Sequence, residues 1–196
     1  MRRGSKLLQI LGCLLIFCGL GLLVFSRLHA EKAQTAAAQV LEQIEVILPE
    51  RTAGAMDTYS TMEMPVLQIG GQDFSAVLDV PAFGRTLPVD HVWGADKVTS
   101  FPCRFYGSVY DGSLVIGGAD QQGQFDWLDQ IQQGSVVTIT DMTGAEFSYV
   151  VDRVDRSKTA QAEVLISEAA DLTLFVRDAY SLEYVIVRCV SGRLAK

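Results

Sequence analysis

The sequence predicts a mainly β domain carried behind an apolar N-terminal helix, on three observations. From Pro65 onward the chain is a succession of short alternating runs separated by glycine-bearing turns, the pattern of strands. Leu7 to Phe25 is an unbroken apolar run of 19 residues in which Gln9 is the only strongly polar side chain. The 196 residues are 49% hydrophobic and 20% charged, near the globular average, which excludes wholesale disorder and a multi-span membrane protein. About eight short strands and few helices in roughly 130 residues indicate a closed barrel or a sandwich.

Taken from the N-terminus, the apolar run is long enough to cross a bilayer once, since 19 helical residues span about 28 Å of a core about 30 Å thick. Arg2, Arg3 and Lys6 precede it and hold the N-terminus in the cytoplasm, which places Leu28 onward outside the cell membrane. A cleaved signal ending within Ser26–Ala30 is one rival, but cleavable apolar regions are usually shorter. A lipidation signal at Cys13 is the other, but Leu-Leu-Ile-Phe follows that cysteine where a polar mature chain would begin. An uncleaved single-pass anchor over residues 1–29 is therefore expected. Cys13 and Cys18 are read as lipid-facing or helix-packing residues.

Residues 30–63 read as a juxtamembrane helix and a linker. Val40, Leu41, Ile44, Ile47 and Leu48 recur at helical spacing, a stripe suited to dimerisation but too short for a coiled coil. Pro49 and the small, polar stretch Arg51 to Thr61 end the helix.

Residues 64–196 form the body. Expected strands are Val66–Ile69, Phe74–Val80, Leu87–Val89, Ser113–Ile116, Val136–Thr140, Glu146–Val154, Leu172–Val176 and Tyr184–Val190, with Met142-Thr143-Gly144 closing a hairpin. Helix is expected only over Phe125–Ile131 and, weakly, Ala162–Ala169. From Leu28 on, 12 basic residues stand against 23 acidic ones, a net charge of −11. So acidic a body repels phosphate backbones and excludes nucleic acid as a partner.

Three segments, in this order, resemble sortases. Leu78-Asp79-Val80-Pro81-Ala82-Phe83-Gly84-Arg85-Thr86-Leu87-Pro88-Val89 is similar to the family's opening "Ile-Pro-x-Ile-Gly-x-x-Leu-Pro-Val". Ser113 to Gly118, then Phe125-x-x-Leu128 and Gly134-Ser135-Val136-Val137, resembles "Asn-x-Val-Ile-Ala-Gly-His", "Phe-x-x-Leu" and "Gly-Asp-x-Val". Asp171 to Arg177, with the closing Val185-Ile186-Val187-Arg188-Cys189, resembles "Leu-Thr-Leu-x-Thr-Cys" and the last strand, "Arg-x-x-Val". The resemblance runs from Val66 to Val190 and implies an eight-stranded β-barrel with one or two short helices.

Sortases are membrane-anchored cysteine transpeptidases of Gram-positive bacteria that join proteins to the cell wall or to another pilin. Their chemistry needs a thiolate, a histidine to protonate the leaving amine and an arginine to steady the anion. On the matching positions of this chain the histidine falls on Ala119 and the residue after it on Asp120. The cysteine falls on Arg177, and the arginine on Tyr184, or on Glu183 if the strand is shifted by one. A methyl group, a guanidinium and a phenol or carboxylate supply none of the three roles. The resemblance thus implies a degenerate sortase of the cell wall environment, whose groove, around Asp120, Arg177 and Tyr184, binds a sorting-signal peptide, a pilin or an active sortase. Relocated chemistry on Cys103, Cys189, His91 or His29 is the enzymatic rival, and a purely structural envelope role is the third reading.

Other residues carry less. An oxidising compartment favours a Cys103–Cys189 disulfide, closing a long loop worth on the order of 4 kcal/mol; two reduced, buried thiols are the alternative. Asp96, Asp111, Asp120, Asp126 and Asp129 do not follow calcium-loop spacing, so no metal and no cofactor are expected. Trp93 and Trp127 read as core or groove-wall residues. The chain holds no asparagine, which excludes N-glycosylation.

Overall fold

The computed structural model describes residues 16, 18–20, 31–32, 34–48, 52–53, 63–166 and 169–192. Of the apolar run, residues 16 and 18–20 are helical and exposed; the rest of Leu7–Phe25, with Cys13, and the stretch Ser26–Ala30, with His29, lie outside the described residues. No described helix is long and apolar enough to cross a membrane.

The elements are α1 (34–47), β1 (Thr52–Ala53), β2 (Leu67–Ile69), β3 (Gln72–Val80), β4 (Arg85–Asp90), β5 (Cys103–Tyr106), β6 (Leu114–Ala119), β7 (Val136–Asp141), β8 (Ala145–Ser157), the single turn α2 (Ala162–Leu165), β9 (Leu172–Arg177) and β10 (Tyr184–Ser191). One-turn 3-10 helices stand at Pro81–Phe83 and Leu128–Gln130. Eight strands close a ring in the order β3, β4, β5, β6, β9, β10, β8, β7 and back to β3. The two remaining strands are appended, β1 beside β8 and β2 beside β3.

Alternation fills the barrel. Leu172, Leu174 and Val176 of β9, Val185, Val187 and Cys189 of β10, and Leu114 and Ile116 of β6 point inward to the main core with Leu78, Ile139 and Tyr149. β9 reads as a continuous apolar run because its outer face is covered too, Phe175 packing there with Val115, Leu165 and Ile186. The β7–β8 hairpin turns where expected. There the buried Asp141 accepts hydrogen bonds from the backbone N–H groups of Thr143 and Ala145, at 2.8 and 2.9 Å.

Several expectations are corrected. Phe125–Ile131 is not an α-helix: only Leu128–Gln130 forms a 3-10 turn, with Phe125, Leu128 and Ile131 buried as an apolar floor. The helix expected over Ala162–Ala169 is reduced to Ala162–Leu165. The stripe on α1, apart from the exposed Ile47, does not face outward for dimerisation. Ile44, Val40, Leu41 and Leu48 pack on Ile69, Phe74, Val77 and Phe101 of the barrel. At its start, Gln34 and Ala37 close a small gap beside Leu87, Pro102 and residues 121–124.

Candidate functional site

The row Ala119, Arg177 and Tyr184 is built by strand register. β6 runs parallel to β9 with Ala119 opposite Arg177, and β10 runs antiparallel to β9 with Tyr184 opposite the same Arg177. Ala119, distant in sequence, therefore stands beside Arg177 and Tyr184, which face each other across the β9–β10 turn, on adjacent strands at one end of the barrel. Period-two alternation puts them on the outer face, in line with Phe175 and Ile186. Glu183, the shifted alternative, precedes the strand, and its carbonyl accepts a hydrogen bond from the Asp178 N–H in the β9–β10 turn.

Asp120 is not in this row. One residue beyond Ala119, it turns to the other side of the strand end, accepts a 2.8 Å hydrogen bond from the Ala179 N–H, and lines a cleft of about 170 Å³ with Asp126, Asp129, Asp178 and Tyr180 over Phe125, Val176 and Val185. The β9–β10 turn that walls this cleft is tightly drawn. The Asp178 carboxylate accepts the Tyr180 and Ser181 N–H groups at 2.8 and 2.9 Å, and Leu182 takes a left-handed φ of 62°. Those two amide bonds hold the Asp178 carboxyl below its ordinary range.

Below the row, the outer face is filled by the chain itself. Trp93, from the β4–β5 connection, packs with Phe105 and Phe175, ring centroids 5.4 to 5.6 Å apart. The tandem glycines make room for aromatic rings on both faces. A Cβ on Gly117 would stand 2.4 Å from Trp93 and 2.5 Å from Phe175, and one on Gly118 would stand 2.4 Å from Phe125 inside. On the same outer face as Trp93 and Phe175, α2 lays the fully buried Leu165 on the sheet. Arg188, 5% exposed, donates to the carbonyls of Val164 and Leu165 and, at 3.0 Å, to the Thr173 hydroxyl, so its guanidinium straps α2 down. Burial pulls the Arg188 pKa below its ordinary value. The groove that the resemblance implies is thus occupied below Arg177, while Arg177 itself is exposed.

The buried Gln124 ties this end together. Its Oε1 accepts the Ala119 N–H and its Nε2 donates to the Val98 carbonyl at 3.1 Å, joining the end of β6 to the connection that carries Trp93. Neither the aromatic cover nor the Arg188 strap follows from the motifs. Gly117-Gly118 was the one signal, since two adjacent glycines in a strand mark close approach on both of its faces.

The expected disulfide is absent: Cys103 and Cys189 are both free and buried. β6 and β9 stand between their strands, and three strand spacings, about 14 Å, far exceed the ~6 Å that a disulfide bridges. Burial, and then the Asp90 carboxylate, push the Cys103 thiol up to about 12, and burial pushes Cys189 to about 12 as well. That is the reverse of the activation a nucleophile needs. The Cys103 thiol donates to the Phe101 carbonyl at 3.3 Å. His91 is held below its usual pKa by burial and by the Arg104 guanidinium, which bonds the His91 carbonyl at 3.0 Å.

No protein-family model matches the sequence, and no curated relative does. Solved structures do. Sortase A from Corynebacterium diphtheriae, in a lid mutant, is similar with a TM-score of 0.57 at 18% identity, over 85% of this chain and 95% of that one. Sortase C1 from Streptococcus agalactiae is similar with a TM-score of 0.54 at 18% identity, over 70% and 75%. Sortase C from Clostridium perfringens SM101 follows with 0.51 at 18%, over 68% and 73%. With its closed eight-stranded ring and the strand order set out above, the chain has the sortase fold.

Proposed function

We propose that this chain is a membrane-anchored, extracytoplasmic protein of sortase fold that does not catalyse transpeptidation and instead binds a polypeptide of surface-protein or pilus assembly. A sorting-signal peptide is the first candidate, ahead of a pilin tail or an active sortase. One observation carries the reading: the positions that match the family's histidine, cysteine and arginine stand in one row as Ala119, Arg177 and Tyr184. In that row a guanidinium faces solvent where a thiolate is required, and a methyl group stands where a proton donor is required.

The thiols do not favour relocated chemistry, since both described body cysteines are buried with raised pKa values. The row favours a peptide carboxylate or carbonyl as the bound group, because a guanidinium donates paired hydrogen bonds to such oxygens. The test is to incubate the purified body, residues 31–196, with a sorting-signal peptide. We expect binding without a thiol-sensitive acyl intermediate, and Arg177→Ala weakens that binding about tenfold. Turnover of the peptide that Cys103→Ala or His91→Ala abolishes overturns the reading.

A further inference from the structure

Helix α1 is docked along the barrel at both of its ends, and this sets which end of the barrel the preceding chain approaches. Toward its C-terminus, Ile44 is 1% exposed and packs with Phe74 and Phe101, near the β2–β3 turn. Toward its N-terminus, Gln34 Nε2 donates to the Gln122 carbonyl at 3.0 Å, and a Cβ on Gly123 would stand 2.4 Å from the Gln34 side chain. Gln122 is three residues beyond Ala119. The helix thus begins beside the end of the barrel that carries the row and runs away from it for about 21 Å.

We infer that α1 orients the body so that the Ala119–Arg177–Tyr184 end faces the membrane surface and the Gly70–Gly71 turn faces away from it. The inference rests on the membrane-anchor reading of Leu7–Phe25 and adds an orientation to it. The chain is already helical at residues 31–32, so six steps separate Phe25 from the helix, a reach of about 20 Å at full extension. A tether that short, joined to a helix fixed on the barrel, leaves the body little freedom to turn over. A ligand of the row then approaches from the bilayer side, within the space beside the anchor. Lipid headgroups themselves are disfavoured as that ligand, because the region from Leu28 onward carries a net charge of −11 and an anionic surface repels it.

The experiment uses the full chain in phosphatidylcholine vesicles that contain a headgroup-linked rhodamine acceptor, with Cys13 and Cys18 changed to serine. Fluorescein is attached at Gln122→Cys or at Gln68→Cys, exposed positions near the two ends of α1; Cys103 and Cys189 are buried against labelling. Energy transfer to the membrane is expected to be about two-fold or more higher from position 122 than from 68, given a separation of about 20 Å. Equal or reversed transfer in vesicles that carry the chain overturns the orientation. A chain that does not float with the vesicles overturns the anchor reading itself, a distinct result. Ile44→Asp, which places a charge under α1, is expected to collapse the difference, and a difference that persists with α1 detached shows that the helix does not set it.

Discussion

Asp178 shows how one side chain shapes the border of the candidate site. Its carboxylate caps the N–H groups of Tyr180 and Ser181, and these bonds, more than the 3.4 Å contact with Arg156, favour the charged form. A carboxyl whose folded pKa is depressed contributes stability above its unfolded value, about 3.9, and that contribution is lost as the pH falls through the folded value. The β9–β10 turn should therefore hold its geometry down to pH 3.9 and loosen only below it. Amide resonances of Tyr180 and Ser181 followed by NMR should shift with a midpoint under 3.9; a midpoint at or above that value counts against the argument. At this scale the sequence was partly legible. Motif spacing singles out Ala119, Arg177 and Tyr184, and strand register sets these three side by side. Asp120 lines the neighbouring cleft and not the row, because a strand alternates faces at every residue and a neighbour in sequence stands on the opposite side. Cys103 and Cys189 were read through their compartment, but pairing is decided by how many strands separate them.

Among the elements, the clearest miss was β5. Cys103-Arg104-Phe105-Tyr106 lies between Pro102 and Gly107, too short for a period-two pattern to register, and is held by its pairing with β6 more than by propensity. The expected strand at Val66 formed as β2 but lies outside the ring, so eight expected strands and eight barrel strands are not the same eight. The runs β3, β8, β9 and β10 were found because their apolar side chains fill one continuous core and, in β9 and β10, an outer cover as well. Helix was over-read at Phe125–Ile131 because an apolar floor under a loop mimics an amphipathic face. α2 is too short to stand alone; its position depends on Arg188, whose guanidinium satisfies two carbonyls at its C-terminal end. Arg188→Met keeps the length of the side chain and removes the donors. It is expected to cost about 2–4 kcal/mol and to open the connection between Ser157 and Asp171 to protease before the barrel unfolds. Cleavage elsewhere first, or an unchanged denaturation midpoint, would show that Leu165 alone holds α2.

For the whole molecule, the question is whether α1 belongs to the folded body or only leads to it. Sequence periodicity found the helix and its stripe but not what the stripe meets, because the apolar patch that receives it is assembled from Ile69, Phe74, Val77 and Phe101 on separate segments. That patch lies outside the barrel, and without α1 it would face water. Burial of Ile44 against it, at 1% exposure, makes the helix a structural part of the body, as the proposed orientation requires. Truncating the side chain removes apolar contacts that nothing else fills, and Ile44→Ala is expected to cost about 2–3 kcal/mol. The exposed Val46, 82% accessible on the opposite side of the same helix, serves as the comparison: Val46→Ala should change stability by less than about 0.5 kcal/mol. Urea denaturation of residues 31–196 followed by tryptophan fluorescence measures both, since Trp93 and Trp127 lie in the barrel portion and not on the helix. If the two substitutions have equal effects, α1 only rests on the barrel and does not brace it; if Ile44→Ala alone lowers the midpoint, helix and barrel unfold as one unit.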